Sequence, residues 1–220
     1  GDTATFTMRL ATQPTADVAI PLMSTNTNEG TLSTSSLTFT TANWNIDQTV
    51  TVTCVDDFVI DGTQPYTIIT SAATSTDGKY NTFNPADVAL NNTDNDTAGV
   101  TVSTISGNTN EDGTSATFIV VLTAQPAADV TIPLSSSNTA EGTVSPASIT
   151  FTSLDWNVPQ QVAAIGVQDA VYDGPKNYTI VTDATISTDP NFNGINPNDV
   201  AVVNDDDDPP PIIVSGISRN

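Results

Sequence analysis

Two acidic stretches, Thr93-Asp94-Asn95-Asp96-Thr97-Ala98-Gly99 and Asp205-Asp206-Asp207-Asp208-Pro209-Pro210-Pro211, occupy corresponding places in the chain. Each follows a short apolar run typical of a strand, Asp87-Val88-Ala89-Leu90 before the first and Asp199-Val200-Ala201-Val202 before the second. Each is also followed by a segment that opens like a new strand. Carboxylates this close together repel one another unless a cation lies among them. The two stretches are therefore predicted to be cation-binding hinges between β-domains.

The composition favours a packed β protein with an acidic surface. The 220 residues include 4 Lys+Arg against 25 Asp+Glu and no histidine, which gives a net charge of −21. Such a chain repels nucleic acid and anionic membranes and attracts divalent cations. Because 37% of the residues are hydrophobic and only 13% are charged, a core can form. No apolar run approaches the roughly 20 residues of a membrane-spanning helix, so direct membrane insertion is not expected.

The chain repeats itself. Trp44 matches Trp156, an offset of 156 − 44 = 112 residues, and this offset holds along the chain without a gap. Roughly half of the aligned pairs are identical, which is the signature of tandem units. The repeat predicts a first unit over residues 1–98, without an opening strand, and a second unit over residues 99–210. Residues 211–220 match the start of the second unit and are predicted to be the opening strand of a following unit or a donor strand.

The alternation of apolar and polar residues predicts short strands throughout. Phe118, Val120 and Leu122 are expected to face inward from one strand, and Ile149 and Phe151 from another. Seven short strands in roughly 110 residues are typical of an immunoglobulin-like sandwich. The predicted fold class is all-β, with two tandem immunoglobulin-like antiparallel β-sandwiches. The predicted strands cover residues 3–11, 17–24, 35–40, 48–55, 64–74 and 86–92 in the first unit, and 100–106, 114–123, 129–136, 147–152, 160–168, 176–186 and 198–204 in the second.

Each unit has a second acidic cluster in a loop between two predicted strands. The first unit has Asp56-Asp57-Phe58-Val59-Ile60-Asp61-Gly62, and the second has Gln168-Asp169-Ala170-Val171-Tyr172-Asp173-Gly174. In an antiparallel sandwich this loop can lie at the same end as the acidic stretch that follows the last strand. That arrangement groups Asp57, Asp61, Asp94 and Asp96 in the first unit, and Asp169, Asp173, Asp206 and Asp208 in the second. Oxygen ligands without His or Cys suit a hard cation such as Ca²⁺.

The spacing of these motifs resembles the Calx-beta domain family. The shared pattern is a strand, Asp-Asp, three residues, an acidic residue and Gly, closed about thirty residues later by a strand and Asp-x-Asp. The resemblance implies an immunoglobulin-like sandwich whose loops bind Ca²⁺. It also implies an acidic ligand between the first two strands, at Glu111 or Asp112. Two departures are visible: the first unit lacks that segment, and Gln168 replaces Asp56. The candidate metal ligands are Asp56, Asp57, Asp61, Asp94, Asp96, Glu111, Asp112, Asp169, Asp173, Asp206 and Asp208.

An alternative interpretation is that these Asp, Asn and Gly residues cap turns and keep edges soluble. For Glu29 and Glu141, each followed by Gly, the sequence favours a turn role over a ligand role. Catalysis has little support, because the chain has no histidine, no serine elbow motif and a single cysteine, Cys54.

The predicted function is a non-catalytic structural or adhesive repeat module of an extracellular, bacterial surface protein or filament, stabilised by calcium. Its expected partners are neighbouring repeats or copies of itself, assembled head-to-tail through residues 211–220; the sequence names no receptor. The alternative is a carbohydrate-binding accessory module, which would need a row of exposed aromatic residues on one sheet face. Aromatics make up 6% of the chain, and the repeated ones lie at positions typical of a core.

Overall fold

The computed structural model describes residues 1–214. These residues form strands, turns and loops, and no helix long and apolar enough to cross a membrane occurs among them. The chain divides into two compact units, Gly1–Asn95 and Asp96–Asn220. The division falls inside the acidic stretch 93–99.

Unit 1 is a sandwich of two antiparallel sheets. Its strands are β1 (Thr3–Met8), β2 (Val18–Ser24), β3 (Gly30–Leu32), β4 (Ser36–Phe39), β5 (Gln48–Cys54), β6 (Gln64–Thr70), β7 (Thr74–Ser75) and β8 (Val88–Asn92). One sheet has the order β1-β5-β3, and the other has the order β4-β2-β6-β8, with β7 paired to β2. Strand β1 therefore lies at an edge of its sheet.

Unit 2 repeats this sandwich with two further strands. Its strands are β9 (Val100–Val102), β10 (Thr109–Asn110), β11 (Ser115–Leu122), β12 (Val130–Ser136), β13 (Gly142–Ser145), β14 (Ser148–Phe151), β15 (Gln160–Gly166), β16 (Lys176–Thr182), β17 (Ile186–Ser187) and β18 (Val200–Asp205). The sheet orders are β13-β15-β11-β9 and β10-β18-β16-β12-β14, with β17 paired to β12. Strand β10 runs parallel to β18; the other described pairings are antiparallel.

The core follows the period of two that a strand imposes on its side chains. Phe118, Val120 and Leu122 are buried, as predicted from their alternation, and so are Ile149 and Phe151. The two sheets of each unit thus bury their facing sides, and the predicted all-β fold of two tandem antiparallel sandwiches is confirmed.

The strand bounds differ from the prediction in several places, and the short strand β10 was not predicted. Strands β3 and β13 lie outside the predicted strands, but their backbones pair with β5 and β15. The predicted strands 64–74 and 176–186 are each interrupted, because the amide of Thr70 donates to Asp87 Oδ1 and that of Thr182 donates to Asp199 Oδ1. Of the predicted strand 211–220, residues 211–214 form no strand, and residues 215–220 lie outside the described part of the chain.

Candidate metal centre

A carboxylate ties together the two acidic loops of unit 2. Asp206, just beyond the end of β18, accepts hydrogen bonds at Oδ2 from the backbone N–H groups of Asp173 and Gly174 in the β15–β16 loop. Gly174 has a φ of 73°, a left-handed conformation that glycine adopts without steric cost. These amide hydrogen bonds hold the pKa of Asp206 below its ordinary value. The two loops therefore lie at one end of the sandwich.

The same contact recurs in unit 1. Gly62 also has a φ of 73°, and its N–H donates to Asp94 Oδ2 at 2.8 Å. The β5–β6 loop and the stretch after β8 are thus brought together as well. This Asp-to-glycine link is a property of the repeat, independent of the residues that differ between the units.

Unit 2 gathers carboxylates into two overlapping groups of three. One group is Glu111, Asp169 and Asp208, and the other is Glu141, Asp169 and Asp173. Within each group, one oxygen from each residue lies within 4.8 Å of the others. Asp169 belongs to both groups, so its carboxylate joins them. Oxygens at this spacing can converge on a Ca²⁺ ion, which binds six to eight oxygens at 2.3–2.6 Å.

Glu111 is the most enclosed of these ligands. It directly follows β10, whose parallel pairing with β18 places it against the acidic stretch, and its N–H donates to Asp205 O at 3.2 Å. The residue is 2% exposed, and its Oε2 is buried without a hydrogen-bond partner. Burial, followed by the charges of Asp169, Asp206 and other neighbouring aspartates, raises the pKa of the Glu111 carboxyl.

Asp208 also has a buried carboxylate oxygen. Its Oδ2 is also buried without a hydrogen-bond partner, and burial together with the neighbouring aspartates raises its pKa. Buried polar atoms in folded proteins are nearly always hydrogen-bonded or bound to an ion. Two such oxygens in one cluster are the strongest sign that this end of unit 2 is built for a cation.

A buried polar network lies behind Glu111. The Thr109 hydroxyl lies 3.1 Å from the Tyr178 hydroxyl, and Thr109 Oγ1 donates to Asn204 Oδ1 at 3.0 Å. Thr109 and Asn204 are buried, and burial raises the pKa of Tyr178. The network fixes β10 to β18 and so holds Glu111 in place without satisfying its carboxylate.

Glu141 lies in a turn, as the sequence favoured, but its carboxylate also joins one of the two groups, which was not predicted. Glu141 is 9% exposed, and its carbonyl accepts a hydrogen bond from the N–H of Val167 beside the acidic loop. The next residue must be glycine, because the ring of Tyr178 packs against the backbone of Gly142. A Cβ at that position would lie 2.3 Å from the ring. The repeated Glu-Gly pair was the available signal, but the short strand β13 that presents it was not predicted.

Three other candidates in unit 2 have different surroundings. Asp112 is exposed and its Oδ1 accepts hydrogen bonds from the amide and hydroxyl of Thr114, which lower its pKa. It lies outside both carboxylate groups. Asp173 forms a salt bridge of 3.1 Å with Lys176. Asp96, the counterpart of Asp208, is half-buried and belongs to unit 2 by the division of the chain.

Unit 1 does not build the same cluster. Among its described residues, no three carboxylates meet as they do in unit 2. Asp56, Asp57 and Asp61 are exposed. Glu29, the counterpart of Glu141, is buried, but its Oε2 accepts a hydrogen bond from Asn92 Nδ2 at 3.1 Å.

A single position explains part of this difference. Gly166 ends β15, and a Cβ there would lie 2.1 Å from the carbonyl oxygen of Asn110 in β10. Unit 1 has Cys54 at the matching position. A segment that packed on unit 1 as β10 packs on unit 2 would therefore meet the Cβ of Cys54.

No protein-family model and no curated protein matches the chain. Among solved structures, it is similar to the calcium binding domain CBD12 of CALX1.1, with 10% identity, coverage of 93% of this chain and 92% of that chain, and a TM-score of 0.40. It is also similar to CBD12 from CALX1.2, with 8% identity, coverage of 92% and 93%, and a TM-score of 0.38. The ligand assignments rest on the contacts within this chain alone.

Proposed function

We propose that this chain is a non-catalytic structural module whose unit 2 binds calcium at the Glu111, Glu141, Asp169, Asp173 and Asp208 cluster. The observation that carries the proposal is the pair of buried, unpartnered carboxylate oxygens on Glu111 and Asp208. Their enclosure makes the negative charge costly without a cation, and the oxygen-only ligand set favours Ca²⁺ over zinc or iron.

Calcium would act by ordering the acidic end of unit 2. The stretch 206–208 and the β15–β16 loop supply ligands from different parts of the sequence, so an ion that binds both cross-links them. A ligand that binds the folded state and not the unfolded one stabilises folding in proportion to the logarithm of its concentration. Unit 1, with Glu29 already hydrogen-bonded and no Glu111 counterpart, would bind calcium more weakly or not at all.

The wider role is a repeat module of an extracellular surface protein or filament. The extreme acidity suits a calcium-rich environment, and the surface of strands and tight turns suits a rigid spacer or adhesive stalk. The alternative role in carbohydrate binding would need a row of exposed aromatics. Phe58, Phe83 and Tyr172 are the exposed aromatic rings among the described residues, and each lies in a loop.

Calcium titration by isothermal calorimetry tests the proposal. Asp169 belongs to both carboxylate groups, and its repeat counterpart is Asp57, since 169 − 112 = 57. Both are exposed, and both accept a hydrogen bond from the residue two positions later. The Asp169→Asn variant is expected to lose most of the heat of calcium binding, whereas Asp57→Asn retains the tightest binding. Equal titrations for the two variants would contradict the assignment.

A further inference from the structure

Identical residues are more exposed in unit 1 than in unit 2. Phe118, Pro197 and Val200 are buried in unit 2, whereas their counterparts Phe6, Pro85 and Val88 are only half-buried. These residues belong to both sheets and lie on one flank of the sandwich. The difference therefore comes from what covers the flank and not from the residues themselves.

In unit 1 this flank is an open groove. Its volume is about 560 Å³, and its lining includes Phe6, Met8, Thr70, Pro85, Ala86 and Val88. The Arg9–Asp47 salt bridge of 3.7 Å lies at the same place. The groove is therefore lined by apolar and polar side chains, and the charges of Arg9 and Asp47 within it balance each other.

In unit 2 the matching flank is covered by residues 100–106. Strand β9 pairs with Val120–Leu122 of β11, and beyond it Ser103 N donates to Ile119 O and Ser106 N donates to Thr117 O, each at 2.9 Å. The hydrogen bonding is reciprocal. Ser103 Oγ accepts a hydrogen bond from Ile119 N, and Ser106 Oγ accepts one from Thr117 N. Val102 and Ile105 are half-buried in this segment.

Among residues 1–214, no strand occupies the edge of unit 1 that would receive these bonds. Strand β1 pairs with β5 on one side and forms the sheet edge on the other. Thr7 and Thr5 are the counterparts of Ile119 and Thr117, so their N–H groups point to that edge. An unpaired edge beside a groove that exposes apolar side chains is the arrangement that strand addition uses.

The chain also contains a segment with the matching sequence. Residues 212–218, Ile-Ile-Val-Ser-Gly-Ile-Ser, repeat residues 100–106, Val-Thr-Val-Ser-Thr-Ile-Ser, with Val214, Ser215, Ile217 and Ser218 identical at the covering positions. Ile212, Ile213 and Val214 are 91%, 90% and 86% exposed. Residues 212–220 include no Asp or Glu and one arginine, so their side chains can approach a strongly acidic partner without repulsion.

We propose that residues 212–218 of one copy of this chain add as a strand to the edge of β1 and fill the groove of unit 1 in a second copy. Ile212, Val214 and Ile217 enter the groove, and Ser215 and Ser218 bond the edge N–H groups of Thr7 and Thr5. The product is a head-to-tail polymer, since each copy carries one donor segment and one acceptor groove.

The connection to residues 212–218 has the same length as the connection between the two units. Eight positions separate Asn92, the last residue of β8, from Val100, which begins the covering strand of the next unit. Eight positions also separate Asn204 from Ile212. Residues 93–99 connect the last strand of unit 1 to β9 of unit 2. By the same spacing, residues 205–211 connect unit 2 to a strand that belongs to a following unit.

Sedimentation velocity of the intact chain over a range of concentrations tests the proposal. The expected result is a growing series of oligomers. Val214→Asp, which would put a charge inside the groove, is expected to weaken association by more than about tenfold. Ile213→Asp is the matched control, because it matches the exposed Thr101 and is expected to retain association. Both positions are exposed in the single chain, so neither change should affect folding.

A chain that stays monomeric at high concentration would overturn the proposal, and so would association that survives Val214→Asp. Measurement in EDTA and in calcium separates this proposal from the calcium proposal. Strand addition uses no acidic ligand and is expected in both conditions. Association seen only with calcium would assign it to the acidic cluster instead and overturn the strand mechanism.

A disulfide trap tests the register. Val121 pairs with Thr101, so Arg9 is expected to lie opposite Ile213 of the donor copy. On a Cys54→Ser background, Arg9→Cys with Ile213→Cys should form a ladder of covalent oligomers under mild oxidation. Leu154→Cys with Ile213→Cys is the control, since Leu154 is 91% exposed and lies outside the groove. Equal ladders from both pairs, or a link within one chain, would contradict the predicted register.

Discussion

Glu111 and Asp208 lie side by side at the acidic end of unit 2, with carboxylate oxygens within 4.8 Å of each other. Each has one buried oxygen that no described group hydrogen-bonds. Burial and the surrounding aspartates raise the pKa of both carboxyls. Without a cation, the negative charges of these two carboxylates lower the stability of folded unit 2.

The Glu111→Gln variant should separate the electrostatic cost of Glu111 from its function. Glutamine keeps the size of the side chain and removes the charge. In EDTA the variant is therefore expected to melt at a higher temperature than the wild-type chain, because the repulsion from Asp169, Asp206 and Asp208 is gone. In calcium the order is expected to reverse, because the variant has lost a charged ligand. Scanning calorimetry in the two buffers checks both statements.

If Glu111 served only the packing of β10, its amide replacement would lower stability in both buffers alike. A parallel change of that kind would contradict a ligand role. Asp112→Asn is a suitable control, because Asp112 is exposed and lies outside the carboxylate groups.

The raised pKa of Glu111 also predicts a dependence on pH. Its folded-state pKa lies above the ordinary value of 4.5, so the folded state favours the protonated form. The stabilising effect of that proton is fully present below the ordinary value and is lost as pH rises through the raised value. In EDTA, the stability advantage of Glu111→Gln over wild type is therefore largest near neutral pH and shrinks on acidification. Urea unfolding of both proteins across this pH range measures the difference, and an advantage that grows on acidification would contradict the sign.

Gly166 is expected to affect calcium binding indirectly, through the position of β10 and Glu111. In Gly166→Ala the new methyl group would lie 2.1 Å from Asn110 O, so β10 has to move and take Glu111 with it. Overpacking of this kind typically costs about 1–3 kcal/mol of folding free energy. Calcium affinity is expected to fall as well, which calorimetric titration would detect. The matched variant Cys54→Ala in unit 1 should leave calcium binding unchanged, and a Gly166→Ala chain with wild-type affinity would show that β10 does not position a ligand.

The gap-free repeat was sufficient to predict the fold. The match of Trp44 to Trp156 placed both units, and the alternation around Phe118 identified the core face of β11. This worked because a period of two and a conserved spacing of turns are local properties of the sequence. The acidic loops were also predicted to lie at one end, and the contacts of Asp94 and Asp206 bring them there.

Two features could not be predicted in this way because they depend on packing between distant segments. Glu141 becomes part of the cluster only because Gly142 lies against the ring of Tyr178. Cys54 and Gly166 occupy matching positions, but the effect of the glycine depends on the approach of Asn110 in β10. Neither relationship leaves a periodic trace in the sequence.

The most direct test of the calcium proposal is a thermal melt of the intact chain in EDTA, in calcium and in an equal concentration of magnesium. At free calcium of 100 times the dissociation constant, binding adds about 2.7 kcal/mol to the stability of the folded state. The expected result is a transition that rises by several degrees in calcium and much less in magnesium, with the shift abolished in Asp169→Asn. Identical melting in all three buffers would contradict the proposal and leave the aspartates of unit 2 as solvated turn residues.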